Sequence, residues 1–169
     1  MVGEGIYCFE VESMDMERLN RVMRRVRGEE GPSCPLNGDR GILISLIQAE
    51  DSSLREYDRL RQRCNGRPRV ILTQLWEDEQ RHHRDLQAEY LARYGDTLLP
   101  EKDMPTMENR GVMTMVGKLR EQELSGAESY RRAAGDTVDH RLALLYEKHA
   151  REEERHAHAL TELLRRAMR

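Results

Sequence analysis

Two short runs, "EQRHHRDL" from Glu79 and "EERHAHAL" from Glu153, each place a glutamate three residues before a histidine. Residues i and i+3 of a helix share a face. Glu79 with His82, and Glu153 with His156, would therefore each offer a carboxylate oxygen beside an imidazole nitrogen. Such oxygen and imidazole donors suit iron or manganese; nothing near them is soft enough to select copper(I) or an iron–sulfur cluster. A single Glu-x-x-His in a chain that is 35% charged carries little weight. Here the motif occurs twice, at equivalent places in an internal repeat. Upstream of each lies a second matched run, "EDSSLREY" from Glu50 to Tyr57 and "ELSGAESY" from Glu123 to Tyr130. In both, Glu and Tyr stand two helical turns apart on one face. His83 also follows Glu79, and His158 follows Glu154, at i+4. The repeat aligns His82 with His156 but His83 with Ala157, so we take His82 and His156 as the matched pair.

The elements that must position these residues are long amphipathic helices. Four apolar stripes at helical spacing run along the chain. The first is Leu43, Ile47, Glu50, Leu54, Tyr57 and Leu60; the second is Leu72, Leu75, Glu79, His82, Leu86 and Tyr90. The third is Val112, Val116, Leu119, Glu123, Ala127 and Tyr130; the fourth is Leu142, Leu145, His149, Glu153, His156, Leu160 and Leu163. Asn65-Gly66 stops the first helix, and Pro68 suits the start of the second. Gly95 marks the end of the second, Gly135 the end of the third, and Asp136, Thr137 or Asp139 caps the fourth. The first and third links are short. The middle one, "GDTLLPEKDMPT", is long enough to cross a bundle. The expected fold is all-α: an antiparallel four-helix bundle over residues 41–169 with a long crossover between helices 2 and 3. Residues 1–40 read as an extension, with a short amphipathic helix over 15–27 and a loop from Gly28 to Gly41.

The glutamates and histidines sit on the apolar stripes, so closing the bundle buries four carboxylates and two imidazoles together. Each uncompensated buried ion costs roughly several kcal/mol. Four would exceed a typical net stability of about 5–15 kcal/mol. Two divalent cations supply four positive charges against the four carboxylates. A Glu from each of two helices and Glu-x-x-His from each of the other two is the ligand set of dimetal carboxylate bundles.

On these residues, Glu50, Glu79-x-x-His82, Glu123 and Glu153-x-x-His156, the chain resembles the rubrerythrin branch of the ferritin-like superfamily over about residues 41 to 164. The resemblance implies a di-iron centre, with manganese as the other candidate metal. In it Glu79 and Glu153 bridge, while Glu50, His82, Glu123 and His156 are terminal ligands. Tyr57 and Tyr130 resemble the family's tyrosines near the metals and are the candidate catalytic side chains. The implied activity is reduction of hydrogen peroxide by electrons from a separate, external donor, and a homodimer is the expected assembly. The chain departs from the family in two respects. It has no CxxC and hence no rubredoxin domain for electron entry, and Gly126 stands where the family carries a further third-helix Glu. A ferroxidase or iron-storage relative, using dioxygen, is the alternative, and a structural bundle without turnover is the third reading.

The remaining features bound the rest. Hydrophobic residues make up 38% of the 169 and the net charge is −3 with signs interleaved. No basic stripe points to nucleic acid and no stretch is apolar enough for a membrane. No secretory signal is read in the N-terminal run. Cys8, Cys34 and Cys64 are scattered and unpaired, as expected of reduced thiols in a cytoplasmic setting. His149 lies on the seam where the first half has Leu75 and reads as a core histidine; His140 reads as a solvated or capping residue. Met104, Met107, Met113 and Met115 read as packing residues, with a haem ligand as the alternative.

Overall fold

The computed structural model describes residues 35–99 and 111–167 and consists there of four helices with no strand: α1 (Pro35–Gln62), α2 (Gly66–Tyr94), α3 (Val112–Asp136) and α4 (His140–Ala167). The chain divides into two units, Met1–Ser33 and Cys34–Arg169. All four helices belong to the second; the helix expected over 15–27 lies outside the described residues.

The helix ends follow local chemistry. Pro35 opens α1, a position where its missing N–H and fixed φ do no harm. The loop expected to continue to Gly41 is therefore helical from Pro35 onward. Two glycines in that first part, Gly38 and Gly41, disfavour helix by about 1 kcal/mol each. Tertiary contacts hold the turn nonetheless: Asp39 is buried, and Arg40 donates from Nε to the Tyr90 hydroxyl at 3.1 Å while its guanidinium lies over the Tyr94 ring. Gly66 (φ 61°) and Gly95 (φ 70°) take the left-handed conformation that opens α2 and closes it, and the Gly95 N–H donates to the Leu91 carbonyl. Gly135, expected to stop the third helix, lies inside α3, which ends one residue later with the Thr137 N–H on the Ala133 carbonyl. Asp139 caps α4, its Oδ1 accepting from the backbone N–H of Arg141 at 2.9 Å and of Leu142 at 3.1 Å.

Side-chain pairs fix the helix directions. Arg40 meets Tyr90 and Tyr94, Asp51 meets His83, and Arg61 lies over Trp76, so α1 and α2 run antiparallel. Tyr57 pairs with Glu123 and Tyr130 with Glu50, so α1 and α3 are antiparallel. Asp78 meets His156 and Asp85 meets His149, so α2 and α4 are antiparallel. It follows that α2 and α3 run parallel. The end of α2 stands beside the start of α1, whereas the start of α3 stands beside its end, where Arg63 reaches Met115. Residues 95–111 thus join opposite ends of the bundle.

The apolar interior falls into two clusters. One contains Leu43, Ile47, Leu86, Tyr130, Leu142 and Tyr146. The other contains Tyr57, Leu60, Leu72, Leu119, Leu160 and Leu163. Between them lies a layer of buried acids and imidazoles. The expected stripes are buried apart from Leu54, Val112 and Leu145, which are half-buried. Tyr146 takes the fully buried place beside Leu142 that Leu145 was expected to fill.

Asp139→Ala removes the two capping bonds at the start of α4 and the ion pair to Arg93. It is expected to lower the unfolding free energy by about 1–2 kcal/mol in a urea titration at neutral pH, with helix content retained.

Candidate metal centre

The polar layer holds all six residues singled out by the Glu-x-x-His repeat. Glu50 comes from α1, Glu79 and His82 from α2, Glu123 from α3, and Glu153 and His156 from α4. Each is at most 4% exposed, so none is a solvated surface charge. His83, the other register, is half-buried and pairs with Asp51 at 3.2 Å, and His158 is exposed. Helix periodicity explains the selection: Glu79 and His82 lie between Leu75 and Leu86 on the buried face of α2, and the neighbouring positions turn away.

The ligand-type atoms form two groups of four, Glu50, Glu79, His82 and Glu153 in one, and Glu79, Glu123, Glu153 and His156 in the other. Within each group they lie within 4.8 Å of one another, and Glu79 and Glu153 belong to both. Several contacts are close yet badly aligned. His82 Nδ1 is 3.0 Å from Glu153 Oε1, but neither atom has a hydrogen-bond partner. Glu79 Oε1 is 2.8 Å from His156 Nδ1 and is likewise unpartnered, as is Glu50 Oε2. Buried polar atoms are nearly always hydrogen-bonded. Four unpartnered atoms lie in one layer, on residues whose ligand-type atoms are close enough together to hold a cation. The residues present therefore fit a bound metal.

The groups behind the ligands are arranged crosswise. Tyr57 donates its hydroxyl to Glu123 Oε1 at 2.6 Å, and Tyr130 donates to Glu50 Oε1. His82 Nε2 lies 2.8 Å from Glu152 Oε2, and His156 Nε2 lies 3.2 Å from Asp78 Oδ2. An ionised carboxylate only accepts. Each Nε2 therefore carries the proton, and each Nδ1 faces the layer, the arrangement that orients a metal-binding histidine. Asp78 and Glu152 were missed as site residues in the sequence, where they look like members of solvated charge runs. The signal was present: each immediately precedes a ligand glutamate, in both halves of the repeat.

His149 is fully buried, as expected of a core histidine, with Nε2 at 3.3 Å from Asp85. Its ring stacks on His82 with centroids 4.3 Å apart. His149, His82 and Glu152 have donor atoms near one another, but two stacked imidazoles cannot both direct in-plane lone pairs at one ion. This trio supports the His82 ring rather than forming a further ion site.

Burial sets the protonation of the layer. It pushes the Glu50 and Glu153 carboxyls well up, with repulsion from Glu79 adding to it, and pushes Glu79 up to about 8. Burial works the same way on Glu123, but hydrogen bonds from Glu153, His156 and Tyr57 outweigh it and hold this carboxyl below its ordinary value. Burial lowers His82, while for His156 the bonds to Glu123 and Asp78 overcome burial and raise it. Tyr57 and Tyr130 are pushed well above their ordinary values by burial and by the adjacent glutamates, so both keep their protons.

Among family models, curated proteins and solved structures, none matches this chain.

A carboxyl whose folded pKa is raised binds more protons folded than unfolded. Its stabilising effect is complete below the unfolded value near 4.5 and is lost as pH rises to the folded value. His82 and His156 shift in opposite senses. The metal-free protein is thus expected to lose stability between about pH 4.5 and about pH 8, by an amount on the order of a few kcal/mol. Urea midpoints across this range check the sign. Glu79→Gln, which removes the charge but keeps the shape, should flatten the slope and stabilise the metal-free protein at the upper end.

Proposed function

We propose that this chain is a rubrerythrin-like, ferritin-like di-iron oxidoreductase that reduces hydrogen peroxide to water with electrons from a separate donor. The observation that carries the reading is the layer itself: two Glu–His half-sites, brought together from four helices, with four buried donor atoms left unpartnered around two shared glutamates. The parallel run of α2 and α3, with residues 95–111 joining opposite ends of the bundle, supports the ferritin-like part of the reading.

When bound, two redox-active ions supply Lewis acidity and the two electrons that peroxide reduction requires. The chain supplies the rest. Glu79 and Glu153, shared by both groups, would serve both ions, and Glu50 with His82, and Glu123 with His156, would hold one ion each. The carboxylates of Asp78 and Glu152 keep both Nδ1 atoms turned inward. Tyr57 and Tyr130 fix the rotamers of Glu123 and Glu50, so that each glutamate keeps one oxygen for the metal. Reduction of H₂O₂ to two waters also takes up two protons. We assign their delivery to the Tyr57 and Tyr130 hydroxyls, which donate to Glu123 and Glu50 at the layer. The two apolar clusters on either side keep bulk water from the layer.

Protein reconstituted anaerobically with Fe²⁺ is expected to hold about two ions per chain, lost together in Glu79→Ala and in Glu153→Ala because each removes a shared ligand. Metal analysis that finds full occupancy in either variant overturns the assignment. Stopped-flow oxidation of the ferrous protein should be faster with peroxide than with dioxygen. The opposite order, with many irons accumulating per chain, would favour iron oxidation and storage instead; protein that takes up no metal would favour a structural bundle.

A further inference from the structure

Gly126 lies in the middle of α3, one turn after Glu123 and one turn before Tyr130. Its backbone is helical, so no positive φ calls for glycine. Nor does crowding: a Cβ built there meets Glu153 Oε2 at 3.4 Å and Glu153 Cδ and Cγ at 3.6 Å, ordinary van der Waals contact. Alanine would fit, and in a helix interior it would be the more favourable residue. What glycine alone does here is leave the space above Glu153 empty. Gly126 is itself only half-buried, and the three atoms nearest to that Cβ all belong to Glu153. No other described glycine borders the centre. At the equivalent place in the first half stands Ser53, which carries a side chain.

We propose that Gly126 is the opening through which small molecules reach the centre, arriving at the Glu153 carboxylate. The gap is one side chain wide. It admits species the size of water, peroxide, dioxygen or azide and excludes larger ones, which gives the centre a size selection set by a single residue. The route meets the layer at a shared glutamate, between the two groups of ligand atoms and not at the end of either. The oxygen facing the gap is Oε2, while Oε1 points inward at His82. The chemical role given to the opening rests on the proposed two-metal function; the opening itself rests on the geometry of Gly126 and Glu153.

The test therefore has one arm that needs no metal. In the metal-free full-length chain, Glu153→Cys and, separately, Glu79→Cys place a thiol at each shared position. Each is treated with hydrogen peroxide, a species the gap admits, which oxidises a thiol to the sulfenic acid with release of water, and the oxidised peptide is followed by mass spectrometry so that the native cysteines are scored apart. The thiol at position 153 should react at least tenfold faster than that at position 79. Adding Gly126→Val, whose methyl groups fill the gap, should slow position 153 at least tenfold and leave position 79 unchanged. An unchanged rate at position 153 overturns the proposal. Should Gly126→Val unfold the chain, seen as loss of helical circular dichroism, Gly126→Ala carries the test. It fits without a clash and should slow the reaction at least threefold while raising the melting temperature; a rate equal to that of glycine overturns the proposal.

In the second arm, azide is mixed with cobalt(II)-loaded protein and the visible spectrum is followed. Gly126→Val should slow azide entry at least tenfold at unchanged cobalt stoichiometry, and an unchanged rate there counts against the opening. Protein that takes up no cobalt brings down the two-metal reading, and the thiol rates then decide the opening alone.

Discussion

Four glutamates share one buried layer in the middle of a helical bundle, and the rest of the fold is built around that constraint. Carboxylates so close cannot all ionise without countercharge: desolvation alone penalises each by several kcal/mol, and each neighbour adds repulsion. The folded chain responds in the only ways open to it without a metal. Burial raises the carboxyls of Glu50, Glu79 and Glu153 towards their neutral forms, and hydrogen bonds from Glu153, His156 and Tyr57 lower that of Glu123 towards its charged form. The layer also divides the apolar core in two, so the clusters on either side must each close on their own. Apolar residues of similar size would have joined them into one better core. A sequence that keeps six ionisable groups there gives up stability that an apolar core would have supplied.

The supports cross between the halves of the repeat. Tyr57 of the first half holds Glu123 of the second, and Tyr130 holds Glu50; Asp78 holds His156, and Glu152 holds His82. Neither half, folded by itself, would orient its own ligands. This couples the docking of the α1–α2 pair against the α3–α4 pair to the geometry of the centre. The hydrogen bonds that align the ligands are the same ones that join the two pairs, so the site is formed only when the bundle is closed.

Much of this was legible in the sequence because two periodicities agreed. Helical spacing put Glu79, His82, Glu153 and His156 on the buried faces, and the repeat discarded His83 and His158, which the structure leaves on Asp51 and in solvent. What escaped the sequence depends on tertiary contact. Gly38 and Gly41 mark a loop by local preference, yet α1 runs through both because Arg40 is anchored on Tyr90 and Tyr94 across the bundle. Asp78 and Glu152 belong to acidic runs that resemble any solvated helix face; only the crossing of α2 over α4 brings each within reach of a histidine. Tyr146, not Leu145, fills the fully buried place on α4, a choice of one position that an apolar stripe three or four residues wide does not resolve.

The repeat is closer in sequence than in physics. Both histidines face a carboxylate through Nε2 and the layer through Nδ1, yet their protonation moves in opposite directions. Burial lowers His82, and the stacked His149 adds a neighbour that opposes its charge, where the other half has Leu75. His156 instead lies against Glu123, the one glutamate held ionised, and with Asp78 behind it the imidazolium is favoured. Metal binding requires a neutral imidazole and therefore competes with protons. A cation entering beside His82 meets an imidazole whose proton is held less firmly than usual, whereas one entering beside His156 competes with a proton held more firmly. Matched ligands in unmatched surroundings thus make the two half-sites unequal before any metal arrives. The inequality traces to the side chains packed behind the ligands, where the two halves of the chain no longer repeat each other.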